Sequence, residues 1–150
     1  MLRERGEADL NALLTTCREA ADLYRDEGGA LRDTESARLF RELAARRSGW
    51  ADRLELALRA LGTLPDGADS DHETARRLFD RFRAELSASD EPILLARARL
   101  EAHIDDLIAR AMGDPLEGPF PQLLTELRAD VDRARQQLAG RIRAGDDKTG

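Results

Sequence analysis

The sequence predicts an all-α fold, and three observations carry that expectation. Ala, Leu, Arg and Glu dominate the composition, and all four are strong helix formers. Val appears once, at Val131, and Ile only at positions 93, 104, 108 and 142, whereas strands draw on β-branched and aromatic residues. Apolar residues also recur at three- and four-residue spacing over long stretches, the period of a helix with one buried face. With 150 residues and 41% hydrophobic content, the chain has the size of one domain and enough apolar side chains for a core.

Residues 1–6 read as a loose leader ending at Gly6. From Asp9 the apolar residues Leu10, Leu13, Leu14, Cys17, Ala20, Ala21 and Tyr24 mark a first helix, and Gly28-Gly29 stops it. Asp33 or Thr34 can cap a second helix, with a seam of Ala37, Phe40, Ala44, Arg47, Ala51, Leu54, Leu58 and Leu61; Gly62 follows as its stop. A turn-rich stretch leads to Ser70-Asp71-His72-Glu73, a capping box, and to a short helix ending near Leu86 with Phe79 and Phe82 on its apolar face. Ser87 to Asp90 breaks that helix, and Pro92 suits the first turn of the next, which carries Ile93, Leu100, Ile104, Leu107 and Ala111. Gly113-Asp114-Pro115 ends it. Pro119 and Pro121 open a last helix with Phe120, Leu124, Leu127, Val131, Ala134, Leu138 and Ile142. A single domain over 1–143 is expected, with a disordered tail over 144–150. The four long helices come to about 20–27 residues, roughly 30–40 Å each. The connection between the second and third holds the short extra helix, so the predicted architecture is a four-helix bundle with one long crossover, the ferritin-like arrangement.

Composition narrows the chemistry. One Cys makes no internal disulfide, and with two His it cannot fill a site built mainly from thiolates or imidazoles. A net charge of −6 argues against a nucleic-acid partner. Every stretch without a charged residue falls far short of the roughly 18 residues of a membrane span, so no membrane partner is expected. The N-terminus shows no signal-peptide pattern, and with the lone Cys this points to the cytoplasm. There is no Gly-rich phosphate loop, no G-x-S-x-G and no zinc-protease motif.

Specific segments resemble a known group. Leu10-Asn11-Ala12-Leu13-Leu14, Ala37-Arg38-Leu39-Phe40-Arg41-Glu42-Leu43-Ala44 and Leu61-Gly62-Thr63-Leu64-Pro65 are similar to small bacterial four-helix-bundle proteins of the ferritin-like superfamily, in an uncharacterised branch of unknown function. The resemblance spans about residues 10–143. It implies the fold, and that branch has no established reaction to carry over.

Ferritin-like di-iron sites take a Glu from each of two helices and a Glu-x-x-His from each of the other two. His103 has Leu100 three residues before it, and His72 has Asp69 across a linker, so neither completes the motif. By resemblance to the metal-binding relatives, the second-helix motif falls near Arg47 and Trp50, and the last helix offers Asp130 and Arg133. A cation at Arg47 repels iron. Two readings of Arg47 stay open. Its stem packs while its head reaches water, or it is buried and paired with acids of facing helices, such as Glu101, Asp105 or Asp130. On the second reading, an interior ion-pair network replaces the metal, and Arg47→Leu leaves the fold intact or more stable. Glu101 and Asp105, one turn apart, are either flank residues answering Arg97 or a neighbouring Arg, or metal or acid–base carboxylates. Arg46-Arg47 and Arg76-Arg77 read as solvated faces. His103 reads as surface or half-buried, Tyr24 and Trp50 as core or interface residues, and Cys17 as a buried small hydrophobe.

The expected function is therefore a non-catalytic bundle acting through protein–protein contact or self-association, with no cofactor and no catalytic residue. The alternative is a ferritin-like metal-binding protein or oxidase with an atypical carboxylate site drawn from Glu19, Glu101, Asp105 or Asp130.

Overall fold

A computed structural model describes residues 2–62 and 89–149, with side chains from residue 5 to residue 147 within those ranges. The described residues form four helices and no strand: α1 (Leu2–Gly28), α2 (Thr34–Ala60), α3 (Glu91–Met112) and α4 (Phe120–Thr149). The expected capping box and short helix before Leu86, with Phe79, Phe82 and His72, lie outside the described residues.

Local chemistry sets most helix ends. Asp33 caps α2: its carboxylate accepts from the Ser36 amide at 3.1 Å and from the Ser36 hydroxyl at 2.7 Å. Gly62 takes φ +83° just beyond α2, the left-handed conformation that glycine enters without Cβ strain. Pro92 sits in the first turn of α3. Gly28 closes α1 where α2 comes close, since a Cβ there would meet the Phe40 Cβ at 3.4 Å.

Both ends of the chain differ from expectation. Helix α1 begins at Leu2 and takes in the residues read as a leader. Its first turns run beside the loop after α3, where Gly6 faces Asp114 and Leu116. Helix α4 runs to Thr149, past residue 144 where a tail was expected. An interior glycine costs only about 1 kcal/mol of helix propensity, so Gly145 need not stop a helix already propagating over many turns.

The end contacts fix the helix directions. The Asp90 carboxylate, just before α3, accepts from the Arg32 and Asp33 amides in the turn after α1, both at 2.9 Å. Arg141, late in α4, reaches Asp33 at 3.3 Å and also pairs with Glu35. Gly6, early in α1, faces Asp114 after α3. Helices α1 and α4 thus run one way, and α2 and α3 the other. Gly62 and Ser89 lie at opposite ends of the bundle.

The core collects the predicted seams. Leu13, Leu14, Cys17, Phe40, Leu54, Leu58, Ile104, Leu124, Leu127, Val131 and Leu138 are all buried. The rings of Tyr24 and Phe40 meet edge to face, 5.0 Å between centroids and 88° between planes, a favourable quadrupole arrangement. No helix among the described residues is long and apolar enough to cross a membrane.

Candidate functional site: an interior ion-pair cluster

The helical seams carry one large charged side chain to the middle of the bundle. Arg47 stands between Ala44 and Ala51 on the buried face of α2 and is 0% exposed. Its small neighbours let the helices come close, so its stem cannot lift the guanidinium to water. The snorkelling alternative therefore does not hold.

Each of the other three helices sends a partner. Glu101 of α3, also 0% exposed, takes a two-pronged contact: Arg47 Nε donates to Oε2 at 3.1 Å and Nη2 donates to Oε1. Arg47 Nη1 donates to Asp130 Oδ2 of α4 at 2.5 Å. The Tyr24 hydroxyl of α1 donates to Glu101 Oε2 at 2.9 Å. Arg46 then closes the α4 side, donating to Asp130 Oδ1 at 3.0 Å, to the Asp130 carbonyl at 3.1 Å and to Gln137 Oε1 at 2.8 Å. Both oxygens of each carboxylate are thus engaged by guanidinium groups, the strong paired geometry that Arg favours.

Burial disfavours the charge on Arg47, but the Glu101 and Asp130 hydrogen bonds outweigh it and hold the guanidinium protonated more firmly than usual. Burial likewise works against ionised Asp130, yet the contacts from Arg47 and Arg46 prevail and its carboxyl titrates below the ordinary range. Burial, reinforced by Glu101, raises the Tyr24 hydroxyl well above its usual value. The nearby Cys17 thiol is pushed up to about 12, chiefly by burial, which leaves it a thiol and a poor nucleophile.

The sequence candidates separate on this geometry. Arg47, Glu101 and Asp130 come together. Asp105 does not join them; it turns to Arg128 at 3.2 Å and Arg135 at 3.9 Å, because position 105 lies one turn on, at the α3–α4 flank. Glu19 is half-buried on α1 and His103 is exposed. Trp50 packs against the core edge with the Arg53 guanidinium 4.2 Å above its ring. Arg133 is mostly exposed and 3.7 Å from Glu42. Glu101 is not a flank residue answering Arg97; Arg97 lies instead beside Glu27, with Nε 3.1 Å from Oε1.

Sequence reasoning missed three participants. Arg46 was assigned to a solvated face, but its side chain is only 13% exposed. The Arg46-Arg47 doublet lets two adjacent side chains grip one acid from neighbouring angles, and a doublet at a seam position was the available signal. Tyr24 was placed in the core, with no sign that its hydroxyl had a partner. Gln137 had no signal.

This cluster does not fit a di-iron group. Its two carboxylates are already paired with cations, its remaining members are a phenol and an amide, and the one His among the described residues, His103, is exposed. Among the described residues no group of three or more His, Cys, Asp or Glu side chains is gathered as a metal site. No protein-family model, curated protein or solved structure matches this chain.

Proposed function

We propose that the chain is a non-catalytic, ferritin-like helical bundle of the cytoplasm that works through protein–protein contact or self-association. One observation carries this reading: the centre of the bundle, where such a fold would hold its metal, is filled by Arg47 between Glu101 and Asp130. With Arg46, which also holds Asp130, these groups neutralise one another, and neither carboxylate keeps an oxygen free for a metal or a substrate proton. The helix directions, with α2 and α3 parallel and their facing ends far apart, support the ferritin-like arrangement. The buried, unreactive Cys17 suits a reducing compartment.

The test is metal analysis of untagged protein, combined with sedimentation at several concentrations. The expected outcome is no stoichiometric metal and a concentration-dependent assembly. Stoichiometric iron or manganese would reverse the reading in favour of an atypical carboxylate site. A strictly monomeric species would remove self-association and leave a different protein as the partner.

A further inference from the structure

The four helices make two hairpins. Residues 29–33 join α1 to α2 and residues 113–119 join α3 to α4, whereas residues 61–90 lie between α2 and α3. Helix α1 meets α2, and α3 meets α4, more extensively than α1 meets α3 or α2 meets α4. The polar contacts of the central cluster all cross from one hairpin to the other. The first hairpin supplies the cations Arg46 and Arg47 and the Tyr24 hydroxyl; the second supplies Glu101, Asp130 and Gln137. Glu27 and Arg97, both buried, face each other across the same boundary, with Arg97 Nε 3.1 Å from Glu27 Oε1 but no directed hydrogen bond between them. Pairing two like hairpins would bury Arg47 against Arg47, or Glu101 against Glu101, as unpaired interior charge. Each hairpin therefore fits the unlike one, whether that belongs to its own chain or to a second copy.

The helix directions make a second copy the shorter route. Helices α2 and α3 point the same way, so α2 finishes at one end of the bundle and α3 starts at the other. Within one chain the connection has to return along the length of α2, about 40 Å for its 27 residues at 1.5 Å each. When two bundles lie side by side about a two-fold axis perpendicular to their length, the finish of α2 in one is level with the start of α3 in the other. The crossing is then one bundle width, roughly 20 Å for two helices. The same axis serves both chains, so the assembly closes as a dimer.

We propose that two copies of this chain exchange hairpins, so that Arg46 and Arg47 of each copy close on Glu101 and Asp130 of the other. This deepens the self-association reading above and rests on it. The contacts described for the bundle are unchanged; only the chain that supplies them differs. A tethered segment and a second copy compete at about millimolar concentration, so exchange grows as the chain is refolded more concentrated.

Gly6 and Asp114 report the exchange directly. They sit on different hairpins, and a Cβ on Gly6 would lie 3.7 Å from that of Asp114, within reach of a disulfide. The full chain carrying Gly6→Cys and Asp114→Cys is refolded at about 1 mM from a mixture of 14N- and 15N-labelled protein, then oxidised. Sedimentation should give a dimer, a denaturing gel without reductant should show two chains joined, and the disulfide-linked peptide should include species with one light and one heavy half. A dimer whose disulfides each close within one chain would overturn the exchange and leave self-association through an outer surface. A monomer at every concentration would overturn both. A second measurement uses no added cysteine. Chains carrying Arg47→Met and chains carrying Glu101→Gln are unfolded together in urea and refolded as a mixture. Exchange sets Arg47 against Glu101 in one bundle of the mixed dimer and the two neutral residues against each other in the other. The mixture should therefore contain a fraction that unfolds at higher urea than either variant alone. A mixture that unfolds only as its two components do would count against the exchange.

Discussion

Arg47 is the residue on which the interior depends, and its worth depends on what is left when it is removed. Arg47→Leu alone strands Glu101, a fully buried carboxylate, with the Tyr24 hydroxyl as its one remaining side-chain donor among the described residues. The sequence-based expectation that this change is harmless therefore fails. A loss of about 3–5 kcal/mol is expected, measured by urea unfolding. Arg47→Met combined with Glu101→Gln removes both charges and keeps an acceptor for Tyr24; its loss should be no more than about 2 kcal/mol. If the double variant fell as far as the single one, the stranded charge would not be the cause. Asp130 supplies a pH signature. Its carboxyl titrates below the ordinary 3.8 in the folded protein. It therefore contributes stability above that value and loses it as pH falls through the lower folded value. Asp130→Asn should flatten the acid limb of a stability–pH curve. At Cys17 the thiol at about 12 predicts no iodoacetamide labelling of native protein at pH 8, and complete labelling in denaturant, as read by mass spectrometry.

At the scale of the element, Asp90 links pieces far apart in the chain. It stands at the N-cap of α3, yet its side chain makes no capping bond there. The carboxylate serves the Arg32 and Asp33 amides instead, while the Ser89 hydroxyl accepts from the Glu91 amide at 3.1 Å. Asp90→Ala should therefore cost about 1–3 kcal/mol, more than Ser89→Ala, as thermal or urea unfolding will show. The seams, the Asp33 cap and Pro92 were legible because each follows from a local rule: helical period, amide capping or a fixed φ. The extents of α1 and α4 were not. Gly6 and Gly145 are local stop signals, but helix propagation and packing against other segments overrule a cost of about 1 kcal/mol.

At the scale of the molecule, the antiparallel pairs α1–α2 and α3–α4 are joined so that α2 and α3 point the same way. This order places the start of α1 beside the loop after α3. A Cβ on Gly6 would lie 3.7 Å from that of Asp114, within the span of a disulfide. Gly6→Cys with Asp114→Cys should oxidise spontaneously and raise stability by about 2–4 kcal/mol, with Cys17 remaining reduced. Mass mapping under non-reducing conditions checks the link, and its absence would contradict the helix order.

The amino-acid sequence by itself determined the helices, most of their caps and the apolar faces that meet in the core, because periodicity and capping act between residues close in the chain. It also placed Arg47 on a seam, where a cation demands an answer. Only the tertiary structure decided what answered it. Glu101, Asp130 and Tyr24 come from three other helices, 23 to 83 residues away in sequence. Side chains one turn apart on a helix, such as Glu101 and Asp105, are alike in chemistry and differ only in what the neighbouring helices bring to them. Packing gave one of them a buried guanidinium and left the other at the flank. The same packing made Glu27 and Arg97 a poorly bonded interior pair, because helix spacing brought their charges together without aligning them.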